Sequence, residues 1–181
     1  GGAETRVVTN TDYDFDSVDE NVQVLVLDAE TRHLSRDEAY RVVFHITKKA
    51  FESGIPFIYK KTDSALRGNI GSELKAVLDA ASRTSLHFLP AFPKMNRITR
   101  NGIHYIDGVP VHESVFGKDP FEPVADSYIP EILKGDVPVT VVRNMKDWKR
   151  APGIMVYDAS TDQELMECGK FLMKKGELTV M

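Results

Sequence analysis

The chain reads as an α/β protein: a mostly parallel, doubly wound (Rossmann-like) sheet with helices on both faces and an inserted β-hairpin. Three observations lead there. Short apolar, β-branched or aromatic runs at residues 22–27, 57–59, 86–89, 139–142 and 154–157 are separated by stretches of helical period, and that alternation implies parallel βαβ units. The runs are apolar along their length rather than alternating, as strands covered on both faces are. Four of them stop abruptly in polar clusters, and in open α/β sheets the carboxyl ends of the strands are where ligands bind.

The elements follow in order. Thr5-Arg6-Val7-Val8-Thr9 is strand-like, and residues 10–21 form an acidic connector without a clear period. Residues 22–27 read as a strand covered on both faces, ending at Asp28-Ala29-Glu30-Thr31-Arg32. Ser35-Arg36-Asp37-Glu38 has the spacing of a capping box, in which the serine hydroxyl and the glutamate carboxylate satisfy each other's backbone N–H groups. A helix to about Phe51 follows, with Ala39, Val42, Val43, Ile46 and Ala50 inward and Gly54 as its stop. Phe57-Ile58-Tyr59 reads as a strand, residues 60–69 as a polar loop, and the next stretch as a helix with Leu74, Val77, Leu78 and Ala81 on one side.

Residues 86–89 form another buried strand, and the loop after it, to Asn101, is held in one shape by Pro90 and Pro93. A hairpin insertion spans about 102–113, turning at Asp107-Gly108, a pair suited to the positive φ angles of a two-residue turn. Pro110 marks an edge strand. Residues 116–123 read as loop, 127–133 as a short helix and 145–149 as one helical turn. Residues 162–175 read as a helix with Leu165, Met166, Phe171 and Leu172 inward. Gly1-Gly2-Ala3 runs straight into a strand and a last strand begins at Gly176, so a fragment of a longer protein is expected.

At 181 residues, with 42% hydrophobic and 28% charged residues, the chain is long enough for one α/β domain with a sizeable core. Its net charge of −4 gives no general attraction to nucleic acid or anionic membranes, so an anion site has to be a local cluster. One cysteine, Cys168, excludes an internal disulfide, fits a reducing compartment and reads as core filler. No apolar run approaches the roughly 20 residues that span a bilayer, and no signal peptide precedes the first strand; a cytoplasmic location without membrane partners is expected. Oligomeric state stays open, a homo-oligomer included.

The polar clusters at residues 28–32, 60–69, 92–99 and 158–161 would share one edge of a parallel sheet. Together they would offer Arg32, Lys60, Lys61, Arg67 and Arg97, the amides of Asn69 and Asn96, and the hydroxyls of Ser64 and Thr99. Guanidinium forks suit a carboxylate, and amides and hydroxyls suit sugar hydroxyls. Plainer readings stand beside this one. Arg67 and Lys61 next to Asp63 would also arise as solvated ion pairs contributing ~0–1 kcal/mol, and Asp158 as a helix cap. His87 reads as a core histidine, and His104 and His112 as exposed polarity flanking a hairpin turn rather than a metal pair. Gly68 and Gly71 complete neither a dinucleotide fingerprint nor a P-loop.

KKTDSALRGNIGSEL, followed some twenty residues later by PAFPKMNRITRNGIHYIDGVPVHES, resembles the four-carbon acid sugar kinase family, whose amino-terminal domain carries K-x-D-S-x-L-R-G-N-x-G and P-A-[FY]-P…G-x-x-Y-x-x-G-x-P-[VL] segments. FGKDPFEPVADSYIPEIL and the DAST after a strand also look like that family, so the resemblance covers nearly the whole chain. It implies an ATP-dependent kinase acting on the terminal hydroxyl of threonate, erythronate or a 3-oxo-tetronate. Residues 1–181 would be its acid-binding domain, with ATP and Mg²⁺ bound mainly by a separate carboxyl-terminal domain. Carried over by motif, Lys61, Asp63, Ser64, Arg67, Gly68 and Asn69 fall on the first segment, and Phe92 and Arg97 on the second. Arg67, Lys61, Asn69 and Arg32 are expected to hold the carboxylate and hydroxyls. The family's D-D-x-T-G-A motif, which would supply the catalytic base, is not in this sequence, nor is the glycine-rich nucleotide half. No catalytic residue or metal ligand is therefore assigned, and the chain alone is expected to be inactive. The rival reading is a non-catalytic α/β module that binds a small acid.

Overall fold

A computed structural model describes residues 2–135 and 137–178. Its strands are β1 (Thr5–Val8), β2 (Val24–Leu27), β3 (Ser85–Phe88), β4 (Arg97–Arg100), β5 (Ile103–Ile106), β6 (Val109–Pro110), β7 (Val139–Val142) and β8 (Gly153–Tyr157). Its helices are α1 (Arg36–Glu52), α2 (Ile70–Ala80), α3 (Ile129–Ile132) and α4 (Asp162–Lys174). β3, β8 and β7 form a parallel sheet in that order, β1 and β2 a parallel pair, and β4-β5-β6 an antiparallel meander.

The central strand shows why the sequence forms a layered α/β core. On one face of β8, Ile154 and Val156 pack with Leu74, Val77 and Leu78 of α2, Val43 of α1, and Ile129 and Leu133. On the other face, Met155 and Tyr157 pack with Cys168 and Leu172 of α4. Helices thus lie on both faces, and every residue of β8 is buried. Cys168 is core, and burial raises its thiol pKa to about 12. His87 is a satisfied core histidine: Nδ1 lies 2.7 Å from the Tyr157 hydroxyl and Nε2 lies 3.3 Å from Glu177. Burial lowers its pKa despite the nearby carboxylate.

The capping box closes as expected, with Ser35 accepting from the Glu38 N–H and the Glu38 carboxylate accepting from the Ser35 N–H. A second box, Thr161 with Glu164, starts α4. It leaves Asp158 free for another task. One Asp158 carboxylate oxygen accepts from Asn101 N at 2.6 Å and the other from Gly102 N at 2.9 Å, so Asp158 caps no helix but pins a turn.

That turn is one of several departures from the sequence reading. Residues 97–100 are not loop: they form β4, joined to β5 by Asn101-Gly102, whose φ angles of 54° and 76° make a second tight turn like Asp107-Gly108 (51° and 83°). The insertion is therefore a three-stranded meander, tied to the end of β8 by the Thr99–Ala159 backbone pair. Phe57-Ile58-Tyr59 is not a strand. Ile58 is partly buried against the cluster of Tyr13, Phe15 and Ala50, while Phe57 and Tyr59 are 67% and 72% exposed. Nor is β2 covered on both faces. Val24 and Val26 are exposed, as is Val7, paired in register with Val26, so only the α1 side of this pair is covered. On α4 Cys168 joins Leu172 inward, and Met166 faces out. Gly176 to Leu178 is turn and irregular, and the rest of the strand expected there lies outside the described residues.

Replacing the pinning carboxylate tests the attachment of the meander. Asp158→Ala leaves two backbone donors without their charged acceptor and should cost about 2 kcal/mol in urea unfolding. A variant as stable as the parent would show that the turn holds without it.

Candidate functional site

The loop between Ile58 and α2 is organised around the Asp63 carboxylate. Its two oxygens accept from Ala65 N (3.2 Å), Arg67 N (3.2 Å), Arg67 Nε (3.1 Å), Arg67 Nη2 (3.0 Å) and Arg32 Nη1 (3.2 Å). Burial alone would raise its pKa; the hydrogen bonds from Arg67 and Ala65 outweigh that and hold it below the ordinary carboxylate value. The fork from Arg67 is bidentate and half-buried, so this is not a solvated ion pair, and Lys61 takes no part in it. Arg67 Nη1 also donates to Asp119 at 3.0 Å. Two carboxylates therefore hold one guanidinium, whose pKa is raised chiefly by Asp63.

Asn69 and Gly68 complete the loop. Asn69 Nδ2 donates to the carbonyls of Leu34 (2.8 Å), Thr31 (3.3 Å) and Arg32 (3.4 Å), which fixes the loop that carries Arg32. Gly68 has φ of +78°, and a Cβ there would lie 2.8 Å from Arg32 Cγ, so both the backbone and the close approach require glycine. Lys60 pairs with buried Glu73 at 2.5 Å, and Glu73 also accepts from the Thr31 hydroxyl at 2.7 Å. Lys60 is thereby a tie between loops. Lys61 is exposed, and among the described residues its ammonium reaches only the Thr62 carbonyl, at 3.4 Å.

Arg97 arrives from the other side, at the start of β4. Its Nη1 donates to the Ser64 hydroxyl, and its buried Nε has no partner among the described residues. No carboxylate there pairs with it. Beneath this contact, fully buried His104 donates from Nε2 to the Ser64 carbonyl at 3.0 Å, with Nδ1 3.4 Å from the Thr99 hydroxyl. Burial lowers its pKa, so it is a neutral support for Ser64 rather than exposed hairpin polarity. Phe92 is 45% exposed and exchanges backbone hydrogen bonds with Arg97.

The four polar clusters do meet. Arg32 joins the first to the second through Asp63, Ser64 joins the second to the third through Arg97, and Thr99–Ala159 and Arg100–Ser160 join the third to the fourth. Sequence reasoning missed Phe116, Asp119 and His104. Phe116 lies under two guanidiniums, with Arg67 Cζ 5.0 Å and Arg97 Cζ 5.6 Å from its ring centroid. Both Phe116 and Asp119 come from a segment with no period to mark it. A cavity of about 500 Å³ shares Arg32, Arg67, Gly68 and Asn69 with this cluster, but its remaining charged lining is Glu122, Asp126 and Glu131, which would repel an acid.

The architecture is that of an α/β domain whose loops gather cations, hydroxyls and an aromatic ring at the carboxyl edge of its strands. The chain belongs to the sugar-binding N-terminal domain family, whose model matches residues 1–181. It is 32% identical over 180 residues to a D-threonate kinase of Salmonella typhimurium, covering 91% of this chain and 42% of that protein. A D-threonate kinase of Bordetella bronchiseptica is 28% identical over 99% of this chain and 44% of its own length. A crystal structure of a domain of unknown function from Bordetella bronchiseptica, with bound citrate and as a domain-swapped dimer, matches with a TM-score of 0.84 at 25% identity over 99% of this chain and 47% of that one. The chain thus spans less than half the length of these relatives.

Asp119 offers a pH test of the cluster. Backbone N–H groups of Glu122 and Phe121, then Arg67, lower its pKa from 3.8 to about 2. A carboxylate depressed in the folded state stabilises fully above its unfolded pKa and loses that contribution as pH falls through the folded one. The urea midpoint of the parent should therefore drop more steeply between about pH 4 and pH 2 than that of Asp119→Asn. Parallel curves would separate Asp119 from the acid sensitivity of the fold.

Proposed function

We propose that this chain is the acid-binding part of an ATP-dependent kinase that phosphorylates a hydroxyl of a four-carbon sugar acid. The relatives' names supply the substrate class: D-threonate, D-erythronate and 3-oxo-tetronate kinases all match parts of the chain. The observation that carries the site is Arg97, a guanidinium without a carboxylate partner among the described residues, beside the Ser64 hydroxyl. In this reading Arg97 takes the carboxylate, Ser64 a hydroxyl, and exposed Lys61 adds positive charge. Arg32, Asp63, Gly68 and Asn69 shape the loop, Arg67 adds the two N–H groups its carboxylates leave over, and Phe92 lies at the rim.

Among the described residues no three His, Cys, Asp or Glu side chains converge on a metal position. We assign ATP and Mg²⁺ to the remainder of the protein on the kinase reading, where they would supply the phosphoryl group and its charge neutralisation. What this chain contributes is binding and orientation, the larger part of catalysis in phosphoryl transfer. Residues 1–181 are one of two domains in this reading, with the substrate held between them so that closure excludes water. No helix among the described residues is long and apolar enough to cross a membrane; a cytoplasmic location is part of the kinase reading, and the domain-swapped dimer of the Bordetella bronchiseptica structure supports a homo-oligomer.

The test is a coupled assay on the whole gene product that carries this chain, with ATP, Mg²⁺ and each of the three acids. Arg97→Ala should raise KM for the preferred acid by roughly 10- to 100-fold, the worth of a charged hydrogen bond, with KM for ATP little changed. Unchanged KM for the acid would remove Arg97 from the site. Acid binding without ATP consumption would replace the kinase by a binding module.

A further inference from the structure

We propose that Phe116 is a positioning residue for the acid site, its ring holding Arg97 in place without consuming the charge or the donors that the acid needs. The inference rests on the acid reading above. A guanidinium can be fixed in two ways. Arg67 lies 5.0 Å from the same ring but is fixed chiefly by carboxylates, which use three of its N–H groups and cancel its charge. Arg97 is fixed by a hydroxyl and by the face of an aromatic ring 5.6 Å away, within the ~6 Å reach of a cation–π contact. The ring's quadrupole attracts the cation but adds no negative charge, so Arg97 stays available to an anion.

Phe116 is itself held firmly. It sits in a 3-10 turn, Val115–Lys118; its N–H donates to the Ser114 hydroxyl at 3.2 Å, and its carbonyl accepts from Val124 N at 3.1 Å. The side chain packs against Ala65, Ile106, Val111 and Val124. Ala65 belongs to the Asp63 loop and Ile106 to the meander, so one ring touches both segments that deliver the guanidiniums. Leucine at this position would fill much of the volume but supply no quadrupole.

The experiment uses the whole gene product, with Phe116→Leu compared with Phe116→Tyr, which restores the ring. Calorimetric titration with D-threonate and D-erythronate reads the acid site, titration with ATP serves as control, and the ¹⁵N-resolved Arg97 Nε–H signal reads the guanidinium directly. Phe116→Leu should weaken acid binding ~10-fold and shift or broaden the Arg97 signal, with Phe116→Tyr close to the parent and ATP affinity unmoved in both. Parental acid affinity in Phe116→Leu overturns the proposal, as does a loss that tyrosine fails to restore or an Arg97 signal that ignores the substitution. If the parent binds neither acid while the Arg97 signal still responds to Phe116→Leu, the acid reading falls and the hold of Phe116 on Arg97 is upheld.

Discussion

The Asp63 carboxylate is the constraint on which the site depends. Five hydrogen bonds converge on it, two from the backbone N–H groups of the residues that follow and three from guanidiniums. The backbone bonds fold the loop over its own aspartate and lead into Leu66 at φ of 63° and Gly68 at 78°, a sharp reversal immediately before α2. The guanidinium bonds draw in Arg32 and orient Arg67 toward Asp119. Hydrogen bonds from Arg67 and Ala65 favour the charged form and hold its pKa below the ordinary carboxylate value despite burial. One side chain thereby sets the conformation of its loop, the place of the preceding polar cluster and the direction of the arginine.

The second half of the site reaches that loop through the meander, and the meander is fixed from below. Asp158 takes both N–H groups of the Asn101-Gly102 turn, and Thr99 pairs with Ala159. Both partners continue directly from β8, the most deeply buried strand. Rigidity is passed from the core sheet to β4, and from β4 to Arg97 at its first residue. His104, on β5 opposite Thr99, closes the frame by holding the Ser64 carbonyl from beneath. Ser64 and Arg97 meet because one is held by the buried, neutral His104 and the other lies over the Phe116 ring.

Much of this was legible in the sequence, and the exceptions share a cause. Local signals were reliable: the Ser35–Glu38 box, the Asp107-Gly108 turn, and the apolar runs that became β3, β7 and β8 depend on neighbours in the chain or on burial on both faces. Asn101-Gly102 carried the same turn signal, but the prolines before it favoured a loop reading. Phe57-Ile58-Tyr59 has strand composition, yet only Ile58 makes a β-bridge, and it alone of the three is partly buried against the core beneath the β1–β2 pair. The four clusters meet as the sequence predicts, but through side-chain contacts between loops and through the antiparallel meander rather than along one parallel sheet edge. The partners that neutralise Arg67 and organise Arg97 were not legible, since Asp119 and Phe116 lie some fifty residues from the motif and are chosen by tertiary packing.

That packing changes how the cationic cluster is understood. Arg32 and Arg67 pair with Asp63 and Asp119 while Arg97 pairs with neither, so these five groups, exposed Lys61 apart, carry a net charge of one. In a chain of net charge −4 this is a local exception. A site of three uncompensated guanidiniums would attract polyanions indiscriminately and would repel itself when empty. Neutralising two of them internally lets the loop fold without ligand, and the remaining charge matches a single carboxylate. The hydroxyl beside it then has a defined neighbour, and selectivity among small acids becomes a matter of hydroxyl placement rather than of charge.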